Sequence, residues 1–203
     1  MCGRYNFQKD IDDVEMQKIC ELLDKKFAGS PKLEKMKNGE VFPGDTAPVL
    51  ISGSSGNVIP WLMEWGFPKW DNKGLIINSR AETVDEKPMF RELVKYNRCL
   101  IPATGYFEWE KKEDTKEKTK HLIKLESGKM LYMAGIYNRI LDSAGIEKEV
   151  FTIITTEANE YVIPIHDRMP LIIEGESRKI WLGEGISALK LLKERCMAEL
   201  ETA

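Results

Sequence analysis

Between residues 47 and 173 the chain is cut into short runs rich in β-branched and aromatic residues, at 48–52, 58–65, 75–78, 98–102, 106–110, 121–125, 130–137, 149–155 and 170–173. Such runs read as strands, and the Gly, Pro, Asn and charged clusters between them read as turns. Many strands without regular alternation with helices argue against a wound parallel sheet, whose strands need helical crossovers. The expectation is an α+β fold: a single domain over 1–203 with a mainly antiparallel, barrel-like β core and several peripheral helices. Helical patterns fall at 10–27, where Ile11, Val14, Ile19, Leu22 and Leu23 recur at helical spacing and Asp10 or Asp12 can cap. Others fall at 88–96 behind Pro88, around 156–162, and at 186–200, with Leu189, Leu192, Cys196 and Leu200 on one side. The charged run 110–120 reads as a solvated hairpin tip.

A chain of 203 residues buries a sizeable core without disulfide staples, and a net charge of −3 carries no bulk nucleic-acid signature. A nucleic-acid partner would have to meet a local basic surface set in an acidic average. The four cysteines, Cys2, Cys20, Cys99 and Cys196, lack the paired spacing of a zinc site or a redox dithiol. Cys20, Cys99 and Cys196 fall in apolar-patterned segments and read as small core residues. No apolar signal region opens the chain and no window is long enough to span a bilayer, so a reducing, cytoplasmic location is expected.

The opening, Met1-Cys2-Gly3-Arg4-Tyr5, carries specific chemistry if the initiator Met is removed. Cys2 then presents a primary amine and a thiol on adjacent carbons, which an internal cysteine cannot do. The amine condenses with an aldehyde to an imine, and the thiol closes a five-membered thiazolidine on it. An α-amine, with a reference pKa of about 7.7 to 8.0 against about 10.4 for Lys, is far more often unprotonated at neutral pH. Taken alone, Cys simply follows Met, so support must come from elsewhere in the chain.

Four clusters and one turn supply candidates. Trp65-Gly66-Phe67-Pro68-Lys69-Trp70 sets three rings beside a Lys; core packing is the ordinary explanation, and a stacking platform for splayed bases is the functional one. Asn78-Ser79-Arg80-Ala81-Glu82-Thr83 is a polar tip after a strand, either a capped turn or an amide beside a phosphate-binding fork. Gly105-Tyr106-Phe107-Glu108-Trp109 embeds a carboxylate among rings. Burial there raises its pKa and makes Glu108 a general acid or base, whereas strand alternation leaves exposure open. Pro164-Ile165-His166-Asp167-Arg168-Met169-Pro170 holds one of only two histidines, a titratable group or a bonded core residue. The other, His121, sits at a basic strand start and receives no role. The turn at 41–45 offers an exposed aromatic, Phe42, beside Pro43.

Met-Cys-Gly-Arg, Trp-Gly-Phe-Pro-Lys-Trp, Asn-Ser-Arg-Ala-Glu-Thr, Gly-Tyr-Phe-Glu-Trp and Pro-Ile-His-Asp-Arg-Met-Pro together resemble the SOS response-associated peptidase (SRAP) family, in the family's order and across most of the chain. The resemblance implies a sensor of abasic sites in single-stranded DNA that crosslinks to them through mature Cys2. It puts the nucleophile on Cys2, active-site partners on Asn78, Glu108 and His166, and DNA-contacting arginines on Arg4 and Arg80. Trp65, Phe67 and Trp70, with Phe42 and Pro43, resemble the wedge against flanking bases, and Thr155 or Thr156 would line the site. The tryptophan loop is one residue shorter than the usual family form. A monomer working without metal or cofactor on single-stranded DNA, away from membranes, is expected, since no metal motif, phosphate loop or dinucleotide fingerprint is present. Strand cleavage by β-elimination would follow from the same imine. The alternatives are a thiol peptidase, in which His166 and Glu108 assist Cys2, and a non-covalent reader of single-stranded or modified DNA.

Overall fold

The computed structural model describes residues 2–71, 73–111, 117–142, 144–183, 185–194 and 196–202. The β-rich runs become strands β1 (Tyr5–Phe7), β2 (Gly39–Val41), β3 (Thr46–Ser52), β4 (Val58–Trp65), β5 (Phe67–Pro68), β6 (Leu75–Ile76) and β7 (Asn78–Arg80). They continue as β8 (Arg98–Ala103), β9 (Gly105–Lys111), β10 (Lys118–Leu125), β11 (Leu131–Leu141), β12 (Glu147–Glu157), β13 (Arg168–Pro170) and β14 (Leu200–Thr202). Helices are few and short apart from the first: α1 (Val14–Lys26), α2 (Pro31–Glu34), α3 (Leu93–Tyr96), α4 (Ser177–Leu182) and α5 (Ser187–Lys190). This is the expected α+β fold.

Five strands close into a barrel, because the ladder β11-β8-β3-β4-β12 returns through β12 to β11. The barrel is mixed: β4 and β12 run parallel, with Val150 beside Glu64 and Phe151 beside Trp65, and the other four pairings are antiparallel. Closure removes the free edges that an open sheet would expose. Past the barrel, β12 continues between β7 on one side and β13 on the other. An antiparallel sheet, β14-β10-β9-β1-β2, forms the second layer. The chain passes from one to the other at Thr104, between β8 and β9, where Asn6 and Thr104 exchange bonds. Gly105 follows because a Cβ there would sit 2.8 Å from the Ile123 carbonyl oxygen of β10.

Helix α1 buries Met16, Ile19 and Leu23, spaced three and four apart. Val14 is 80% exposed and Leu22 is also exposed, so neither belongs to the apolar stripe. The cap is Asp13, not Asp10 or Asp12, and its side chain accepts from the Met16 N–H at 2.9 Å. Over 88–96 only the last residues are helical, after a run of turns. Around 156–162 the expected helix is replaced by the end of β12, where β13 recruits Thr156 and Glu157 into its ladder, and by a series of turns.

The closing helix expected at 186–200 also fails. α5 gives way to a 3₁₀ turn at Leu191–Lys193, Glu194 is extended, and the tail runs on to β14. The open edge of β10 needs backbone partners, and pairing Leu200 with Leu125 and Thr202 with Ile123 supplies them. The centre of the charged tip, 112–116, lies outside the described residues; the strands leading to it pair as far as Lys111 with Lys118.

The core takes up two of the rings expected to meet DNA. Trp65 is fully buried, stacks on Phe151 at 6.4 Å, tilts against Tyr5 at 5.2 Å and donates its indole N–H to the Ile77 carbonyl. Phe67 is buried against Phe90. Gly66, at φ 118°, turns the chain so that both neighbouring rings face inward. Both rings pack in the core. Among the described residues no helix is long and apolar enough to cross a membrane.

Candidate active site

Cys2 is completely buried just ahead of β1, and its carbonyl accepts a 2.8 Å hydrogen bond from Asn78 Nδ2. Asn78 opens β7, which lies parallel to β12 with Asn78 beside Ile153, so an extension of the barrel holds the start of the chain. The Cys2 sulfur lies 3.8 Å from the Arg4 carbonyl. Burial pushes its thiol well above the ordinary range, and the Glu108 charge adds to the effect.

Glu108 is 2% exposed and shares its face of β9 with the buried Tyr106. Exposure is excluded because both faces of β9 are covered here: Phe107, on the other face, lies under the Lys120 ammonium, 4.0 Å from the ring centroid. Burial raises the Glu108 pKa, and His166 opposes that rise. His166 Nε2 lies 4.0 Å from Glu108 Oε2. The Arg168 N–H donates to His166 Nδ1 at 2.9 Å, which fixes the neutral ring with its proton on Nε2, toward Glu108. Asp167 Oδ1 also lies 2.8 Å from Nδ1. One ring nitrogen cannot accept and donate at once, so the Arg168 contact needs a bare Nδ1 and the Asp167 contact an Nδ1 that carries a proton.

Arg4, Arg80 and Arg168 belong to the segments that carry Cys2, Asn78 and His166. The Arg4 guanidinium lies over Phe42 at 4.3 Å and Trp109 at 5.0 Å and bonds Glu40 at 3.3 Å. Arg80 is exposed at the end of β7, with no ion pair among the described residues. Arg168 makes a two-point pair with Glu82, at 2.7 and 2.9 Å, and reaches the Thr155 carbonyl at 2.8 Å. That pair holds the Glu82 carboxyl below the usual range. Trp109 and Arg168 were not singled out from sequence, although both stand inside motifs that were.

Other expected contacts divide by burial. Trp70 is 92% exposed on the β5–β6 turn, and Phe42 is 39% exposed in a turn closed by Asp45, with Pro43 exposed beside it. Thr155, expected to line the site, is fully buried and its hydroxyl donates to the Ser79 carbonyl. Thr156, nearly buried, lines a cleft of about 590 Å³ with Glu82 and Cys196; Cys2, Asn78, Glu108 and His166 do not line it. Among the described residues no group of three or more His, Cys, Asp or Glu is arranged to hold a metal ion.

A buried cysteine near the chain start, an amide on its carbonyl and a facing Glu–His pair, all within an SRAP-type motif order, define the class. The chain belongs to the SOS response associated peptidase (SRAP) family, whose model matches residues 1–202. It is 38% identical over 187 residues to the abasic site processing protein YoaM of Bacillus subtilis, covering 90% of this chain and 79% of that protein. It is 31% identical over 188 residues to the abasic site processing protein YedK of Escherichia coli, covering 92% and 82%. A crystal structure of a protein from Bacteroides thetaiotaomicron superposes with a TM-score of 0.78 at 27% identity, covering 99% of this chain and 90% of that one.

Proposed function

We propose that this chain senses abasic sites in single-stranded DNA and crosslinks to them covalently through Cys2 once Met1 is removed. The observation that carries the reading is the burial of Cys2 against Asn78 beside the Glu108–His166 pair. Asn78 Oδ1 is buried and without a partner among the described residues, which leaves an acceptor for a freed Cys2 amine. Glu108, made a stronger proton holder by burial, protonates the sugar ring oxygen as the ring opens to the aldehyde. The amine adds to the aldehyde carbon and water leaves, giving the imine. The thiol then adds across the C=N bond: a C–S bond forms, the thiol proton passes to nitrogen, and the thiazolidine closes.

The imine also acidifies the adjacent sugar C–H, so β-elimination at the 3′ phosphate is the side branch when Glu108 removes that proton before the ring closes. Arg80 and Arg4 meet phosphates, Trp70, Phe42 and Pro43 meet flanking bases, and one copy of the chain supplies every group named. A thiol peptidase is the weaker reading, since it needs a thiolate at neutral pH and burial works against one.

The test uses protein shown by mass spectrometry to lack Met1, incubated with a single-stranded oligonucleotide bearing one abasic site. A band that survives denaturation, and disappears with Cys2→Ala, is expected. Its absence from the processed protein overturns the proposal.

A further inference from the structure

His166 and Glu108 stand on different parts of the fold, one on the turn after β12 and the other in the second sheet, yet lie 4.0 Å apart. We infer that Asn159 is the positioning residue that sets this distance, by fastening the His166 turn to the same C-terminal tail that braces the Glu108 strand. The inference rests on the reading above, in which the two groups move protons.

Asn159 is 2% exposed, and its side chain works in two directions. Nδ2 donates to the Ala198 carbonyl at 2.9 Å and the Cys196 carbonyl at 3.5 Å, while Oδ1 accepts from the Tyr161 N–H at 3.2 Å. Its own carbonyl accepts from Val162 and Ile163, and the Val162 carbonyl in turn accepts from Ile165 and His166, at 2.8 and 3.0 Å. The turn carrying His166 is thus a chain of backbone bonds that begins at Asn159. The Ala158 N–H closes it by donating to the Asp167 carbonyl at 3.0 Å.

The tail gripped by Asn159 continues into β14, which pairs with β10, and β10 pairs with β9 so that His121 lies opposite Glu108. One segment therefore serves as the reference for both groups. Glu108 faces the ring from β9, Asp167 and Arg168 from its own loop. A turn displaced by a fraction of an ångström alters which of these the ring meets, and misplacement of about 1 Å costs up to ~10²-fold in rate.

A buried Asn that merely fills a turn would affect stability alone, so the deciding readout is the His166 ring itself. Nitrogen-15 spectra are recorded against pH on the full chain for wild type, Asn159→Ala and Asn159→Ser, with His121→Gln used to assign the two rings. Ile19→Ala, in α1, serves as a destabilised control. Ser keeps a local acceptor for Tyr161 but drops the bonds to the tail, and it remains informative where Ala does not fold.

Wild type is expected to show the proton on Nε2, and both Asn159 variants to lose that preference. Crosslinking should slow about 10-fold with a displaced pH optimum, while Ile19→Ala changes neither. A His166 signature in the Asn159 variants identical to that of the control overturns the inference. The ring measurement needs no DNA, so it decides the role of Asn159 even if wild type forms no crosslink, an outcome that would instead remove the functional reading.

Discussion

Glu149 and Glu108 are both buried carboxylates on strands, one in the barrel and one in the second sheet, and the fold treats them in opposite ways. Glu149 Oε2 receives Lys32 Nζ and the Trp61 indole N–H, each at 2.7 Å, and Oε1 lies 3.3 Å from Arg139 Nε. Burial alone would raise its pKa, but those donors overcome it and hold the carboxyl below the usual range. Glu108 ends on the other side: burial dominates, its His166 partner stands 4.0 Å off, and its pKa is raised. A carboxylate saturated with donors ties elements together, here α2, β4, β11 and β12. A carboxyl in which burial outweighs its donors holds its proton to higher pH than a free one, which is what acid–base chemistry asks of it.

The sharpest way to break this contrast is to neutralise each carboxyl in turn. Glu108→Gln keeps shape and removes the proton carrier, and crosslinking by processed protein is expected to slow by about 100-fold or more in single-turnover assays. A rate within a few-fold of wild type would strip Glu108 of its assigned role and leave the comparison without a functional arm. Glu149→Ala is expected to do the reverse. It should cost about 2 kcal/mol in denaturant unfolding, since bonds to charged groups are lost and Lys32, Trp61 and Arg139 are left facing each other. Crosslinking per folded molecule should stay within about twofold, as for independent sites.

How much of this was legible in the sequence follows from how local each cause is. Strand runs such as 58–65 and 98–102 were readable because β-branched and aromatic residues cluster there, and β4 and β8 begin at the same residues. The barrel closure through the parallel β4–β12 pairing was not, because nothing within either strand names its neighbour. The closing helix failed for a similar reason: residues 186–200 carry a helical spacing, but the amide of Asn159 takes the Cys196 and Ala198 carbonyls and the edge of β10 takes Leu200–Thr202. Composition brought out the tryptophan loop yet could not say which rings face solvent. Trp65 and Trp70 are alike in sequence and opposite in burial. The face of Glu108 was ambiguous because alternation reveals exposure only when one face of a strand meets water, and β9 is covered on both near that residue.

The smallest expected effect concerns how pH tilts stability, and its sign separates the two carboxyls. Glu108 has a raised folded-state pKa, so its contribution is fully present below the unfolded value of about 4.3 and is lost as pH rises through the folded value. Glu108→Gln carries no such group. The variant's melting temperature should therefore gain on wild type by a few degrees as pH climbs above the unfolded value of about 4.3, and stop gaining above the raised folded value. Glu149 has a lowered folded-state pKa, so its contribution is present above the unfolded value and fades as pH falls through the folded one. Glu149→Ala should accordingly lose most against wild type at neutral pH and draw level in acid. Parallel melting curves of the three proteins across that range check both signs at once. If the Glu108→Gln gap stayed constant or narrowed with rising pH, burial would not be what governs Glu108, and the contrast between the two sites would collapse to a difference in neighbours.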